Sequence, residues 1–202
     1  MEAQAMRYDS EHKEKTRARV LKEAAKAIRA EGPHRIAVAG VMAKAGLTHG
    51  GFYAHFKSKD DLVAAAVEAM FQDAKARFAW ETADRSPAEG LCAYIDFYLS
   101  PLHRDARSSG CPITALAADL PRLEGEVRRE YGKGVARLEA RIAGHLAMLG
   151  RTDAEALGQS ALAELVGALS LSRAVADPDQ SNRILETSRA ALKQRLGLET
   201  AP

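Results

Sequence analysis

Cysteine is nearly missing: Cys92 and Cys111 are the only two in 202 residues. Two cysteines cannot make the disulfide framework of a small secreted domain, and they are expected to remain reduced thiols in a cytoplasmic protein. No apolar run approaches the ~18 residues of a membrane span. The opening stretch from Met1 to Arg7 lacks the apolar segment of a signal peptide, so no membrane partner is expected. Aromatics make up only 5% of the chain, and β-branched runs are rare, which leaves little from which to build strands. The histidines are scattered, no His-x-x-x-His or Cys-x-x-Cys pair occurs, and no glycine-rich phosphate loop follows a strand. Neither a metal nor a cofactor is therefore expected. Asp119 and Glu124 make no obvious acid–base pair with a neighbouring nucleophile, so no catalytic residue is nominated.

What is present is alanine, leucine and charge. The length suits one large domain or a small one joined to a medium one, with enough chain to bury a real core. The net charge of +2 is uneven: residues 1–60 hold 12 Lys and Arg against 7 Asp and Glu, and the remainder 17 against 20. A basic head on a mildly acidic body suggests a polyanion partner at the head.

The apolar spacing predicts helices throughout, about nine in all. The first runs from about Ser10 to Ala30, with Val20, Leu21, Ala24, Ala25 and Ile28 on one stripe, and Gly32-Pro33 ends it. A short second helix covers Val38 to Ala45. Gly46 stops it, and Thr48 is placed to cap a third through Phe56. Ser58-Lys59-Asp60-Asp61 reads as a capping box opening a fourth helix to about Thr82, and Ser86-Pro87-Ala88-Glu89 as another opening a fifth, stopped near Pro101. His103 to Gly110 reads as a polar loop. Cys111-Pro112 starts a sixth helix to Leu120, and Pro121 restarts the chain into a seventh to Leu149. Thr152-Asp153-Ala154-Glu155 is expected to cap an eighth to Ala176, and a ninth runs from Asp179 to Leu196.

Three opening helices, the second and third joined by a tight glycine turn, are the plan of a helix-turn-helix DNA-binding unit. Val41, Met42, Phe52 and Phe56 are expected to face its core. That leaves His49, Gly50 and Tyr53 outward, where histidine and tyrosine can meet base edges or phosphates. Gly50 and Gly51 each cost helix propensity of about 1 kcal/mol, a cost explained by close approach to another surface. Thr48, His55, Lys57 and Lys59 surround this segment. Arg17 and Arg19 from the first helix and Lys44 from the second add charge.

The stretch Ala43-Lys44-Ala45-Gly46-Leu47-Thr48-His49-Gly50-Gly51-Phe52-Tyr53-Ala54-His55-Phe56-Lys57-Ser58-Lys59-Asp60-Asp61-Leu62 resembles the signature of TetR-family regulators. The resemblance covers about residues 13–73. It implies an all-α homodimer with a DNA-binding domain at 13–73, its helix-turn-helix at about 37–56, and a ligand-binding and dimerisation domain at 74–202. Carried over by position, Thr48, Tyr53, His55 and Lys57 would contact phosphates of a double-stranded operator, and His49 and Gly50 would approach bases. Two departures stand out: many relatives carry lysine or arginine where this chain has His49, and Ser or Thr where it has Gly51.

The body is expected to supply dimer and effector sites. Leu157, Ala161, Leu165 and Leu169, with Ile184, Leu185, Ser188 and Leu192, repeat at three- and four-residue spacing. A monomer core would explain that pattern, and the resemblance favours a four-helix dimer interface. Trp80, Tyr94, Phe97, Tyr98, His103, Leu116 and Tyr131 are candidate walls of a pocket for a small, mostly apolar molecule. Cys111 stands at a helix start after Arg104 and Arg107, a setting that favours a thiolate. Its Gly-Cys-Pro segment also looks like that of a TetR subgroup with members that sense electrophiles; a buried inert cysteine is the plainer reading. The expected function is an operator-binding repressor released by an apolar or electrophilic effector, with the fourth helix as the lever between pocket and DNA. An activator, a small helical enzyme and a protein-interaction module are the alternatives.

Overall fold

The computed structural model describes residues 2–123 and 125–198. Met1, Glu124 and residues 199–202 lie outside the described residues, the last five of these inside the expected second domain. Among the described residues there are nine α-helices and no strand: α1 (Glu2–Glu31), α2 (Val38–Lys44), α3 (Lys59–Thr82), α4 (Pro87–Tyr98), α5 (Pro101–Asp105), α6 (Pro112–Leu116), α7 (Gly125–Met148), α8 (Ala154–Ala174) and α9 (Pro178–Leu196). Three 3-10 segments, His49–Ala54, Arg107–Ser109 and Leu120–Arg122, complete the described chain. The fold is all-α, as the composition predicts.

The expected number of helices is met by a different partition. The third predicted helix is a 3-10 segment, because Gly50 and Gly51 bring little helix propensity to its first turn. The extra helix is α5, which begins at Pro101 and takes up the start of the predicted polar loop. Pro101 does not merely stop α4: it takes the first-turn place of α5, and the Ser100 side chain accepts from the His103 amide at 3.1 Å. Helix α6 is shorter than expected, and α7 begins at Gly125 rather than Pro121.

Capping accounts for several boundaries. At α4 the box is complete: Ser86 Oγ accepts from the Glu89 amide and Glu89 Oε2 accepts from the Ser86 amide at 3.0 Å. At α3 it is shared out differently. Ser58 Oγ accepts from the Asp61 amide at 3.1 Å, while Asp61 Oδ2 accepts from the Lys57 amide rather than that of Ser58. Neither Thr48 nor the N-cap of α8, Asp153, makes a side-chain cap bond, so both expected caps are corrected.

Helix α3 is the spine. It packs on α1 at one end of the molecule and on α4 and α7 at the other, and α7 in turn lies against α8 and α8 against α9. Val63, Val67, Met70, Phe71 and Phe78 give α3 its buried face. The α7–α8 crossing is tight: a Cβ on Gly158 would stand 3.0 Å from Ala143 atoms and from the Glu139 carbonyl. The apolar stripes of α8 and α9 are spent on this packing. Ala161, Leu165, Leu169, Leu185 and Leu192 are closed over within the single chain. They are core residues, which corrects their placement on a partner surface. Leu157, Ile184 and Ser188 are half-buried.

Candidate nucleic-acid interface and effector cavity

Helix α2 ends in a glycine turn that aims the next segment. Gly46 has φ +72, its amide donates to the Ala43 carbonyl and the Leu47 amide to the Met42 carbonyl, both at 2.9 Å. This paired closure needs a left-handed residue, which glycine supplies without Cβ strain. The 3-10 segment then buries Phe52 in the same core cluster as Met42 and Val41, and Phe56 follows, with ring centroids of Phe52 and Phe56 5.7 Å apart. Arg17 of α1 lays its guanidinium 4.9 Å from the Phe56 ring centroid.

With those two rings inward, the opposite side is open. Lys44, Thr48, His49, Gly50, Tyr53 and Lys57 are all exposed, and Tyr53 retains 72% of its surface although it is aromatic. Gly50 and Gly51 have no neighbour inside the chain that requires glycine, since a Cβ at 50 meets nothing within 4 Å and one at 51 only ordinary contacts. Two expected phosphate groups are placed differently. Lys59 is half-buried and donates to the His34 carbonyl at 2.9 Å. His55 is turned part-way in, and its Nδ1 is buried without a partner. Burial, then the positive charges of Lys13 and Arg17, hold its pKa below the ordinary histidine value.

In the body, α3, α4, α5 and the chain leading into α6 enclose a cavity of about 420 Å³. Five of the expected effector residues line it: Tyr94, Phe97, Tyr98, His103 and Cys111. Three do not. Trp80 is 73% exposed, on the side of α3 away from buried Phe78. Leu116 is fully buried core. Tyr131 packs edge-on against Phe71 and reaches the Ile113 carbonyl at 3.5 Å.

His103 organises this cavity, a role its place in a presumed loop concealed. It stacks on Phe97 with centroids 4.9 Å apart. Its Nδ1 donates to the Tyr98 carbonyl at 2.8 Å, and its Nε2 accepts from the Cys111 amide at 3.1 Å. That second bond requires an unprotonated Nε2, and burial holds the ring neutral, with a pKa lowered to about 4. Arg173 of α8 donates to the carbonyls of His103 and Arg104, both at 2.9 Å, and so fastens α5 from outside. Gly110 lies under this knot, where a Cβ would come within 2.9 Å of Arg173 and 3.2 Å of the Ala106 carbonyl.

Cys111 is buried beside the phenols of Tyr94 and Tyr98, with the Arg173 guanidinium also close enough to interact with it. Burial, then the neighbouring Cys111, pushes the phenols of Tyr94 and Tyr98 well above their ordinary range. Arg104, invoked from its sequence position, points elsewhere: it pairs with Asp105 and donates to Ser181 and Asn182 of α9 at 2.9 and 2.8 Å. The expected cationic setting of Cys111 is corrected in that respect.

Residues missed in the sequence are Arg29, Asp73 and Arg77, which also line the cavity. Arg29 and Asp73 stand 44 positions apart and form an ion pair at 2.9 Å that no periodicity announces. Among the described residues no cluster of three or more potential metal ligands occurs, and no helix is long and apolar enough to cross a membrane.

A short α2, a glycine turn and an outward-facing 3-10 segment, carried by an all-helical body with its own cavity, define a helix-turn-helix transcriptional regulator. Residues 20–66 match the model for bacterial regulatory proteins of the TetR family, and residues 87–187 the C-terminal domain of LmrA/YxaF-like transcriptional regulators. The chain belongs to the TetR family. No curated protein matches it by sequence. Among solved structures, a TetR regulator from Chloroflexus aurantiacus is similar at 24% identity and TM-score 0.78, covering 93% of this chain and 96% of that one. Escherichia coli NemR in its reduced form is similar at 20% and 0.77, covering 89% and 96%. A TetR-family regulator from Agrobacterium tumefaciens is similar at 25% and 0.75, covering 90% and 98%.

Proposed function

We propose that the protein is a repressor that binds a palindromic operator as a homodimer and leaves it when a small molecule enters the α3–α5 cavity. The DNA-binding unit is residues 13–73 and the ligand and dimer unit 74–202. The observation that carries this reading is the outward set Lys44, Thr48, His49, Gly50, Tyr53 and Lys57, displayed by a segment whose other face is sealed by Phe52 and Phe56. Glycines at 50 and 51 with no need inside the chain suit a backbone that approaches a major groove closely.

The test is binding to DNA selected from random sequence. Replacing Lys57 with alanine should weaken binding about tenfold and lower the salt dependence by roughly one counterion. Tyr53→Ala should weaken binding about as much with little change in the salt slope, because a neutral phenol displaces no counterion. An enzyme or scaffold would show no salt-dependent, sequence-selective retention. Transcription from a promoter carrying the selected site separates repressor from activator, since the first lowers it and the second raises it.

For the dimer, the buried stripes give way to the other side of the same helices. Ala156, Ser160, Ala163 and Ser170 of α8 and Thr187, Ala190 and Ala191 of α9 are exposed, and a Cβ on Gly167 meets nothing. Small side chains let a second helix pair approach closely, and two-fold packing there would set two DNA-binding units about one helical turn apart.

Cys111 offers a second route to release, because it lines the same cavity. A quinone admitted there would take the thiol by conjugate addition: an S–C bond forms, and the thiol proton ends on the hydroquinone product. Treatment with benzoquinone should release the operator from the parent protein and leave Cys111→Ser bound. A serine variant that still releases DNA would end this route. Cys92, whose Sγ lies 3.3 Å from the Leu198 carbonyl, serves as the internal control.

A further inference from the structure

The cavity is lined with rings, yet one wall carries a charge that the chain does not fully satisfy. Arg29, in the last turn of α1, has a side chain only 4% exposed. One Nη donates to Asp73 at 2.9 Å and, at 3.4 Å, to the Met70 carbonyl. Its Nε–H is buried with no acceptor at all. A buried donor left unused is costly, and buried charge is retained only where it is paired and hydrogen-bonded. Asp73 is a poor match for so enclosed a cation, because its own side chain is 66% exposed.

The surrounding charge has the same sign. Arg77, which also pairs with Glu81 at 3.2 Å, adds a second guanidinium to the cavity lining, 4.5 Å from the Phe97 ring centroid. Among the described residues, Asp73 is the only carboxylate lining the cavity. Arg29 also lines a second cleft of about 320 Å³ together with Arg107 and Arg173, and among the described residues no acidic side chain lines it. A vacant Nε–H beside an Nη–H is the edge by which arginine grips a carboxylate with two parallel bonds. The rings of Tyr94, Phe97 and Tyr98 supply an apolar bed next to it.

We propose that the effector is an aromatic carboxylate: its ring lies among the cavity rings, and its acid group is received by Arg29 in place of Asp73. The inference rests on reading the cavity as the effector site and adds the ligand's chemical class. It also supplies a regulatory step. Arg29 belongs to α1 and Asp73 to α3, so exchanging Asp73 for the ligand unties the DNA-binding end of the molecule from its spine.

Calorimetric titration of the full-length protein with 2-naphthoate and with its neutral isostere 2-naphthamide tests this. The acid should bind at least about tenfold tighter than the amide. Asp73→Asn removes the internal competitor for Arg29, so it should tighten the acid by about threefold or more and leave the amide unchanged. Arg29→Met should abolish the preference for the acid. If Arg29→Met fails to fold, Asp73→Asn still decides, because structural damage weakens both ligands whereas the proposal requires the acid alone to gain. Equal binding of acid and amide by the parent overturns the acid recognition and leaves the cavity reading standing. Binding of neither compound overturns both.

Discussion

Replacing Phe56 with alanine should cost about 3–5 kcal/mol of stability, the range for truncating a fully buried aromatic, and should abolish operator binding. Phe56 is 1% exposed, stacks on Phe52, and is covered by the Arg17 guanidinium. Phe56 sits in a continuous buried cluster with Val20, Val41, Met42, Phe52 and Leu62. Urea denaturation followed by circular dichroism reads the loss, and a thermal midpoint lower by about 10 °C is expected for a chain of this size. Tyr53→Ala is the contrast. At 72% exposure its removal should leave stability within about 0.5 kcal/mol while DNA affinity falls. A Phe56→Ala protein as stable as its parent would mean that the two rings do not carry the segment.

Mild acid should loosen the effector domain through one residue. The His103 ring is held neutral in the fold with a pKa near 4, against an ordinary 6.5 when the chain is unfolded. Between those values the unfolded chain binds a proton that the folded chain refuses, so stability falls as pH drops from about 6.5 towards 4. From pH 7 to pH 5 this group alone should remove about 2 kcal/mol, and about 3 kcal/mol by the time the folded pKa is passed. His55 shifts in the same direction, so the informative quantity is the difference between the parent and His103→Gln, which keeps an acceptor for the Cys111 amide and cannot titrate. Superimposable pH profiles for the two proteins would refute the assignment.

Much of the fold was legible because its signals are local. Ser86 and Glu89 announce α4 three residues apart, and Gly46 marks a turn that only a left-handed residue closes. Tyr94, Phe97 and Tyr98, spaced three and four apart, do share a cavity wall. Where the reading failed, the cause was long-range or a matter of helical phase. Pro101 ends one helix and begins another, and only the Ser100–His103 bond reveals the second. Trp80 lies two positions from Phe78, roughly 200° round the helix, so the phase that buries Phe78 puts Trp80 in solvent. The stripes on α8 and α9 were apolar because a chain satisfies its own core first. The face proposed above for a second copy is the quieter alanine and serine side of the same helices. Arg29 and Asp73 carry no pattern at all, since their meeting depends on how α1 crosses α3.

The length of α3 has a mechanical consequence. Asp73 and Arg77 line the cavity, and Lys59, at the other end of the same helix, follows shortly after the outward-facing 3-10 segment and donates to the His34 carbonyl. Fourteen residues of helix separate Asp73 from that end, a lever arm of about 21 Å at 1.5 Å per residue. A tilt of about 5° pivoting at the cavity carries the far end nearly 2 Å; in the proposed homodimer a two-fold mate would move oppositely, opening the gap by up to about 4 Å against a half-site spacing of about 34 Å. A displacement smaller than a single bond at the ligand is thus geared up to more than the rise of one base pair at the DNA.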